Sequence, residues 1–310
     1  MLQEMQKRAK PASIHVIVNP ATGKRVPLIH TLNEILRPAG IRFEVSVTHE
    51  FGDGANAARK AVERGADVVA CFGGDGTVMD VSEGLLKSDV PLLILQGGTG
   101  NLVAKELDLP KELTKSLQRI TGDEFNTRRL DVGHLGKYPF LLRAGCGFET
   151  DVLQDASREL KKQFGRWAYA FAAAKALQEV SVAKYRITID DEREVYAEAV
   201  ACVIANTGAF GVGSLTLSPG IEIDDGKLDL ILIRQADVEG IFSLVRMMMG
   251  DEPKGEEAAV VDASHLVGRW QVKKVKIETD PILPVQVDGD VLTETPQTAE
   301  VLPGALEVVV

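Results

Sequence analysis

The first third of the chain alternates between two hydrophobic periods, which predicts alternating strands and helices. Residues 14–18 and 91–95 are short apolar runs typical of buried strands, and 41–48 alternate with the period of two that a half-buried strand shows. Residues 26–36 and 54–63 carry apolar side chains at helical spacing. This β–α alternation predicts an α/β domain with a mostly parallel sheet, covered by helices on both faces.

The pattern changes after about residue 128, where strands follow one another with few helices between them. We expect an antiparallel, sandwich-like second domain here, with residues 151–180 mostly helical. Domain boundaries are predicted at 1–128 and 129–297, with a C-terminal strand over about 298–310 returning to the first domain. The predicted strands of the second domain are residues 140–146, 185–189, 195–205, 228–233, 272–277 and 285–287.

Two glycine-rich loops carry the clearest chemical signal. The apolar run 68–72 leads into Gly73-Gly74-Asp75-Gly76-Thr77 and a helical pattern, and the run 91–95 leads into 96–101, Gln-Gly-Gly-Thr-Gly-Asn. Glycine lets the backbone approach a ligand, and a helix start offers unpaired N–H groups to an anion. Because both loops follow strands of one predicted parallel sheet, we expect them at the same edge, together with 19–23 and Thr48. This arrangement predicts a phosphate-binding site.

Other interpretations of the glycines stay open. A glycine cluster can be an ordinary tight turn. The loops lack the lysine of a Walker A motif, and their glycine spacing is not that of a dinucleotide fingerprint. Lys24 and Arg25 beside the first loop could add positive charge, or they could be ordinary solvated residues.

Composition and charge exclude several classes of protein. The chain has 310 residues, 45% hydrophobic and 26% charged, and no run approaches the ~20 apolar residues of a membrane span. A formal net charge of -10 argues against a general nucleic-acid binder. The 3 cysteines lie in apolar runs without metal spacing, which favours reduced, buried thiols and a cytoplasmic location.

Several segments together resemble the soluble diacylglycerol kinase family, whose relatives include sphingosine kinases and bacterial lipid kinases. The resemblance runs through nearly the whole chain and includes Val18-Asn19-Pro20, both glycine loops and Leu130-Asp131-Val132-Gly133. It continues in Asp224-Asp225-Gly226-Lys227-Leu228-Asp229 and Val287-Asp288-Gly289-Asp290. NAD kinases share the first glycine signature, but the later acidic segments are more similar to the lipid branch.

The resemblance implies an ATP-dependent lipid kinase that uses Mg²⁺, acts on a diacylglycerol-like or related lipid, and docks transiently on a membrane surface. It also implies site residues. The residues expected to contact ATP are Asn19, Thr48, Gly73, Gly74, Asp75, Gly76, Thr77, Val78, Met79, Gly98, Thr99 and Asn101. Asp225 would hold a magnesium ion with its carboxylate, and the carbonyls of Glu222 and Lys227 would complete that site. Asp75, Asp131 and Asp290 are the catalytic candidates, with Asp290 in the position of the proposed base.

Two residues depart from the family pattern. Asp290 stands where the family has glutamate, and it is one methylene shorter, so its reach toward a proton is reduced. Leu102 follows the asparagine of the second glycine loop, where many members carry aspartate. These departures motivate an alternative to the lipid kinase, namely a nucleotide- or lipid-binding protein with impaired catalysis. A further alternative is a kinase for NAD or another soluble acceptor.

Simpler structural roles compete with the functional ones. Asp225 and Asp288-Gly289-Asp290 have the composition of ordinary turns, and Asp131 could cap or kink a strand. The aromatic residues Phe164, Trp167, Tyr169 and Phe171 and the run Met247-Met248-Met249 are more typical of core than of a lipid pocket. The oligomeric state stays open, with a homodimer among the alternatives.

Overall fold

The computed structural model describes residues 5–24, 26–86, 88–147, 182–208, 220–234 and 267–310. The chain divides into two compact units. The first unit contains Met1–Val132, Ile223–Gly226 and Leu302–Val310, and the second contains Gly133–Glu222 and Lys227–Val301. Among helices in these described ranges, none combines the length and the apolar character needed to cross a membrane.

The first unit is built around parallel strands, as the sequence predicted. Strands β3, β2, β4 and β5 lie side by side in that order, all parallel, and Val308 near the end of β17 pairs in parallel with Leu92 of β5. The elements of this unit are β1 (Gln6–Ala9), β2 (Ser13–Val18), α1 (Leu28–Leu36), β3 (Arg42–Val47), α2 (Asp53–Glu63), β4 (Val68–Gly73), α3 (Asp75–Leu85), β5 (Leu92–Gln96), α4 (Leu102–Glu106), α5 (Leu113–Gln118), the first part of β6 (Glu124–Leu135) and the last part of β17 (Gln297–Val309).

Helices bury the central strands of this sheet from both sides. Every residue of β4 and β5 is buried, which explains why these segments read as continuous apolar runs. Leu32 and Leu36 of α1 join the core beside β2 and β4. Helices α2 and α3 pack closely through small residues, because a Cβ on Gly84 would overlap the carbonyl of Ala55 and lie 2.7 Å from Ala58 Cβ.

The N-terminal segment contains a strand that the hydrophobic pattern does not predict. Gln6–Ala9 form β1, which pairs antiparallel with β6 from Gln6 opposite Thr127 to Ala9 opposite Glu124. Arg8 also donates to the buried carboxylate of Glu307, 2.9 Å from Nε to Oε1. A polar edge strand of four residues carries too weak an alternation to be recognised from the sequence.

The second unit contains two antiparallel sheets that pack face to face, which confirms the expected sandwich-like architecture. One sheet joins β10, β9, β14 and the start of β17, and the other has the order β13, β12, β11, β8, β15, β16. The additional elements of this unit are β7 (Tyr138–Phe140), β8 (Arg143–Cys146), β9 (Ala183–Ile189), β10 (Arg193–Ala199), β11 (Ala201–Ala205), β12 (Leu228–Ile233), β13 (Val267–Val272), β14 (Lys274–Asp280), β15 (Pro284–Val287) and β16 (Asp290–Glu294).

The core of the sandwich explains the alternation of its strands. Ile187 of β9 and Val275 of β14 face Leu230 of β12 and Val285 of β15 in one buried cluster. Outward positions are mostly polar, as in β9, where buried and exposed residues alternate along Ala183–Ile189.

Three segments predicted as single strands are divided in the structure. Residues 195–205 change sheet at Val200, so β10 and β11 belong to different sheets, and 272–277 divide between β13 and β14. Residues 140–146 divide at Leu141–Leu142, between β7 and β8. Both halves of each segment are apolar enough to be strands, so the sequence pattern does not reveal the corner.

Candidate active site

The two glycine loops touch each other at the ends of β4 and β5. These strands are parallel neighbours, with Gly73 opposite Gln96. The N–H groups of Gly97 and Gly98 donate to the carbonyl of Gly73 at 2.9 and 3.1 Å. A Cβ on Gly98 would lie 2.5 Å from the Cα of Gly74, so a side chain there would push the loops apart. The glycines therefore permit a direct contact between two backbone segments.

No side chain of the described residues caps the amino end of α3. Val78 N donates the first helical hydrogen bond, 3.0 Å to Gly74 O. The N–H groups of Asp75, Gly76 and Thr77 therefore have no partner within the described part of the chain. A Cβ on Gly76 would meet no described atom within 4 Å, so space lies open beside these donors. An uncapped helix start next to open space is suited to an anion.

The first loop is joined to the same helix end. Asn19 Nδ2 donates to Thr77 Oγ1 at 3.0 Å, and Asn19 N donates to Phe72 O at 3.0 Å. Asn19 Oδ1 accepts the N–H of Ala21 at 2.9 Å, which fixes the turn. The sequence therefore predicted correctly that this loop and the glycine loops lie at one edge.

Lys24 is exposed to solvent, and its ammonium also has two main-chain partners. Its ammonium donates to the carbonyls of Gln96 and Lys111, each at 3.0 Å. It therefore ties the first loop to the end of β5. Arg25 lies outside the described residues.

Asp75 holds the second glycine loop. Its Oδ1 accepts the N–H groups of Leu102 at 2.6 Å and Val103 at 3.3 Å, at the start of α4. A Cβ on Gly100 would lie 2.8 Å from Asp75 Oδ2. Burial raises the pKa of the Asp75 carboxyl. Leu102, at the position of the family aspartate, thus contributes its main-chain N–H to Asp75.

Asn101 closes the second loop on itself. It has φ 48, its Oδ1 accepts Gly98 N at 3.1 Å, and its Nδ2 donates to Gly98 O at 2.7 Å. Thr99 at the tip of this loop is exposed. Val78 and Met79, at the other loop, are only 3% and 7% exposed, so their side chains face the core.

Thr48 lies at the end of β3, buried, with its N–H donated to Val18 O at 2.9 Å. The residues that follow are held by Asp53, whose Oδ2 accepts His49 N at 2.8 Å and Glu50 N at 3.2 Å. The hydrogen bond from His49 lowers the pKa of Asp53.

Asp131 bridges two segments that return to the first unit late in the chain. Its Oδ1 accepts Gly304 N at 2.7 Å, and its Oδ2 accepts Gly226 N at 2.6 Å. It is fully buried, and burial raises its pKa. Asp131 lies inside the continuous strand β6, so its carboxylate holds two later segments and does not cap the end of its own strand.

The acidic turn after Ile223 contains both an ion pair and an orphaned oxygen. Arg128 Nε lies 2.6 Å from Asp224 Oδ2, and the second oxygen of Asp224 is buried without a hydrogen-bond partner in the described part of the chain. Asp225 follows directly. Glu222 and Lys227, the other predicted metal ligands, flank this turn in the chain and belong to the second unit.

No described group of three or more His, Cys, Asp or Glu side chains is arranged to hold a metal ion. The predicted set does not depend on such a group, because it combines one carboxylate with two main-chain carbonyls. These ligands are oxygens only, which suits Mg²⁺.

The two aspartates of the Asp288-Gly289-Asp290 turn have different environments. Asp288 accepts the N–H groups of Leu141, Leu142 and Arg143, each at 2.9 Å. Burial raises the pKa of Asp288 to about 6. Asp290 is exposed at the start of β16. Asp288 thus fixes the corner between β7 and β8, a role that the turn-like sequence did not reveal.

The structure therefore brings most predicted first-unit residues together at one sheet edge. Direct contacts join Asn19, Thr77, Gly73, Gly74, Gly98 and Asn101, and Asp75 accepts the N–H groups of the two residues that follow Asn101. Asp290 lies in the second unit. The aromatic and methionine clusters at 164–171 and 247–249 lie outside the described residues.

Two family models together cover most of the chain. Residues 13–135 match the diacylglycerol kinase catalytic domain, and residues 144–310 match the YegS C-terminal NAD kinase beta sandwich-like domain. The boundary between the two matches falls at the strands β7 and β8.

Whole proteins show the same similarity. A protein of Chromohalobacter salexigens named "Probable lipid kinase YegS-like" is 32% identical over 276 residues, which cover 87% of this chain and 85% of that protein. The diacylglycerol kinase of Mycobacterium tuberculosis is 27% identical over 309 residues, 97% of this chain and 96% of that one. The crystal structure of a diacylglycerol kinase from Bacillus anthracis has a TM-score of 0.73 at 22% identity, covering 97% of this chain and 98% of that chain, and thus shares the fold.

Proposed function

This chain belongs to the family of diacylglycerol kinases and YegS-like lipid kinases, and on that premise we propose that it transfers the γ-phosphoryl group of ATP to a hydroxyl of a diacylglycerol-like lipid. In this reaction the lipid oxygen bonds to the γ-phosphorus, the bond from that phosphorus to the β–γ bridging oxygen breaks, and ADP leaves. The hydroxyl proton passes to a base.

The uncapped start of α3 carries the proposal. Three consecutive N–H groups, those of Asp75, Gly76 and Thr77, have no partner among the described residues, and a Cβ on Gly76 would meet no described atom within 4 Å. The neighbouring loop at Gly98 lies in backbone contact with this end. Main-chain donors at a helix start suit the triphosphate of a nucleotide, because phosphoryl transfer depends mostly on positioning and charge neutralisation.

The acidic turn fits a magnesium ion. Asp224 keeps one buried carboxylate oxygen without a hydrogen-bond partner among the described residues, directly before Asp225. A cation there would compensate this buried charge. We propose that the Asp225 carboxylate and the carbonyls of Glu222 and Lys227 hold it. Magnesium, when bound, would supply positive charge to this acidic region.

The catalytic candidates divide into positioning groups and a base. Asp75 and Asp131 each accept two main-chain N–H groups, so they would keep the second glycine loop and the acidic turn in place. Asp290 is exposed, and its side chain makes no hydrogen bond or ion pair with the described residues. We propose it as the base that accepts the hydroxyl proton of the lipid.

The acceptor is presented by a membrane, so we propose that the enzyme binds transiently to a lipid surface. The direct test uses labelled ATP, Mg²⁺ and phosphatidylcholine vesicles that contain either diacylglycerol or a sphingoid base. We expect phosphate to appear in the lipid fraction, and Asp290→Asn to lower the rate about 10²-fold or more.

The same assay separates the acceptor classes. Phosphate transfer to NAD in the absence of vesicles would show a kinase for a soluble acceptor. Binding of ATP without transfer to any acceptor, unchanged in Asp290→Glu, would contradict the kinase proposal and support a protein with impaired catalysis.

A further inference from the structure

Asp80 is a buried carboxylate on α3, the same helix whose first turn lies at the glycine loops. It is 5% exposed. Its Oδ2 accepts the N–H of Gly54 at 2.8 Å, and its Oδ1 accepts the N–H groups of Gly52 at 3.2 Å and Ala55 at 3.3 Å. All three donors lie at the start of α2.

Asp80 therefore provides the cap that α2 lacks in its own sequence. Gly52, the residue before α2, has φ 94 and provides no side-chain cap. A Cβ on Gly54 would lie 2.6 Å from Asp80 Oδ2, so glycine is needed for this approach. A carboxylate at a helix start is favoured both by hydrogen bonding and by the helix dipole.

The segment capped by Asp80 continues from Thr48. Asp53, the first residue of α2, accepts the N–H groups of His49 and Glu50. The segment 48–55 is thus fixed at one end by Thr48 N bonded to Val18 O, and at the other by Asp80.

We infer that Asp80 is a positioning residue for the nucleoside part of ATP. The first turn of α3 would bind phosphate, while Asp80, on the next turn, holds the segment that contains Thr48 at a fixed distance from it. The inference rests on the proposed function, in which the start of α3 and the glycine loops bind the phosphates of ATP, and on the ATP contact that the family resemblance implies for Thr48. The contact of Thr48 and the contacts of the glycine loops can be tested separately, because inorganic tripolyphosphate would bind only to the glycine loops.

The test compares Asp80→Asn with the control Glu83→Gln on the same helix. Both changes remove one carboxylate charge. The Glu83 side chain, however, is 40% exposed, and its ion pair with Arg59 is long, at 3.9 Å. In Asp80→Asn an amide NH₂ replaces one acceptor and faces main-chain donors. Calorimetric titration would give the Kd of ATP and of tripolyphosphate for each protein.

We expect Asp80→Asn to raise the Kd of ATP about tenfold and to leave that of tripolyphosphate within about twofold, since only the contact of Thr48 with the nucleoside part is lost. Glu83→Gln should change neither. Hydrogen exchange at residues 49–55 should become faster in Asp80→Asn and stay unchanged in Glu83→Gln.

Three results would overturn the inference. An unchanged Kd of ATP in Asp80→Asn would show that the cap does not position the nucleotide. An equal loss of affinity for both ligands, with a lower Tm, would show a general structural role. A wild-type protein that binds neither ligand would contradict the proposed function itself, and this inference with it.

Discussion

The glycine-loop edge of the first unit and the Asp288-Gly289-Asp290 turn of the second unit have similar composition but opposite hydrogen-bonding states. Both follow a strand and combine glycine with aspartate. At the start of α3 the N–H groups of residues 75–77 have no partner among the described residues, and the Asp75 carboxylate accepts the N–H of Leu102 in the neighbouring loop. At the second turn, Asp288 itself accepts three main-chain N–H groups.

The difference shows what decides whether an Asp–Gly segment can receive a ligand. Main-chain donors attract an anion only when the protein does not satisfy them with its own carboxylate. By this criterion the α3 end is a receptive site, whereas the donors at Leu141–Arg143 are already occupied. The neighbouring Asp290 is the only residue of its turn that we assign to chemistry.

Removal of the Asp75 carboxylate should have the largest effect on the receptive site. Asp75→Ala frees the N–H groups of Leu102 and Val103 and releases the second glycine loop, so we expect kcat/KM to fall about 10²–10³-fold. Steady-state assays with vesicles would measure this. Asp108 is exposed and lies just after α4. The variant Asp108→Asn is therefore the control, and we expect it to keep the activity of the wild type. An Asp75→Ala enzyme with full activity would show that the loop does not need this anchor.

Two glycine substitutions would separate packing from ligand binding at the same edge. Gly98→Ala places a Cβ 2.5 Å from Gly74 Cα, so we expect the free energy of unfolding to fall by about 1–3 kcal/mol. Gly76→Ala meets no described atom within 4 Å and lies in a helix, so stability should stay or rise by about 0.5–1 kcal/mol.

ATP affinity should nevertheless fall about tenfold in Gly76→Ala, because its Cβ enters the space beside the unpaired donors. Urea unfolding and calorimetric titration would measure the two quantities. Unchanged ATP affinity in Gly76→Ala would contradict our assignment of this space to the phosphates.

Asp288 should affect stability, with a defined pH dependence. Asp288→Asn places an NH₂ group against a main-chain donor, so we expect a loss of about 1–3 kcal/mol in the free energy of unfolding. The pKa of Asp288 is raised by burial from 3.8 to about 6. Its titration therefore favours the folded state most below the unfolded pKa, and this contribution is lost as the pH rises through about 6.

The stability difference between wild type and Asp288→Asn should accordingly shrink between about pH 4 and pH 6 and stay constant above that range. Urea unfolding across this range would test it, with Asp290→Asn as the control. A difference that is independent of pH would show that Asp288 has an ordinary pKa in the folded protein.

The smallest effect is expected from the substitution Asp290→Glu. Asp290→Glu restores the longer side chain found in the family, so we expect kcat to rise about two- to fivefold, with Tm unchanged because the residue is exposed. A lower kcat would show that the surrounding turn has adapted to aspartate.

Local patterns in the sequence determined much of the first unit. The apolar runs of β4 and β5 and the glycines after them are adjacent in sequence, and parallel neighbours necessarily place their following loops at one edge. The strands of the second unit were visible for the same reason, since buried and exposed positions alternate along β9.

Only the tertiary structure decided which carboxylates hold which main-chain donors. Asp80 caps a helix that begins 27 residues earlier in the chain at Asp53, and Asp288 caps a corner at Leu141–Arg143. Asp190 likewise accepts the N–H groups of Lys273 and Lys274, where β13 gives way to β14. Periodicity records whether a residue faces the core, but a hydrogen-bond partner far away in sequence is fixed by packing, which leaves no local pattern.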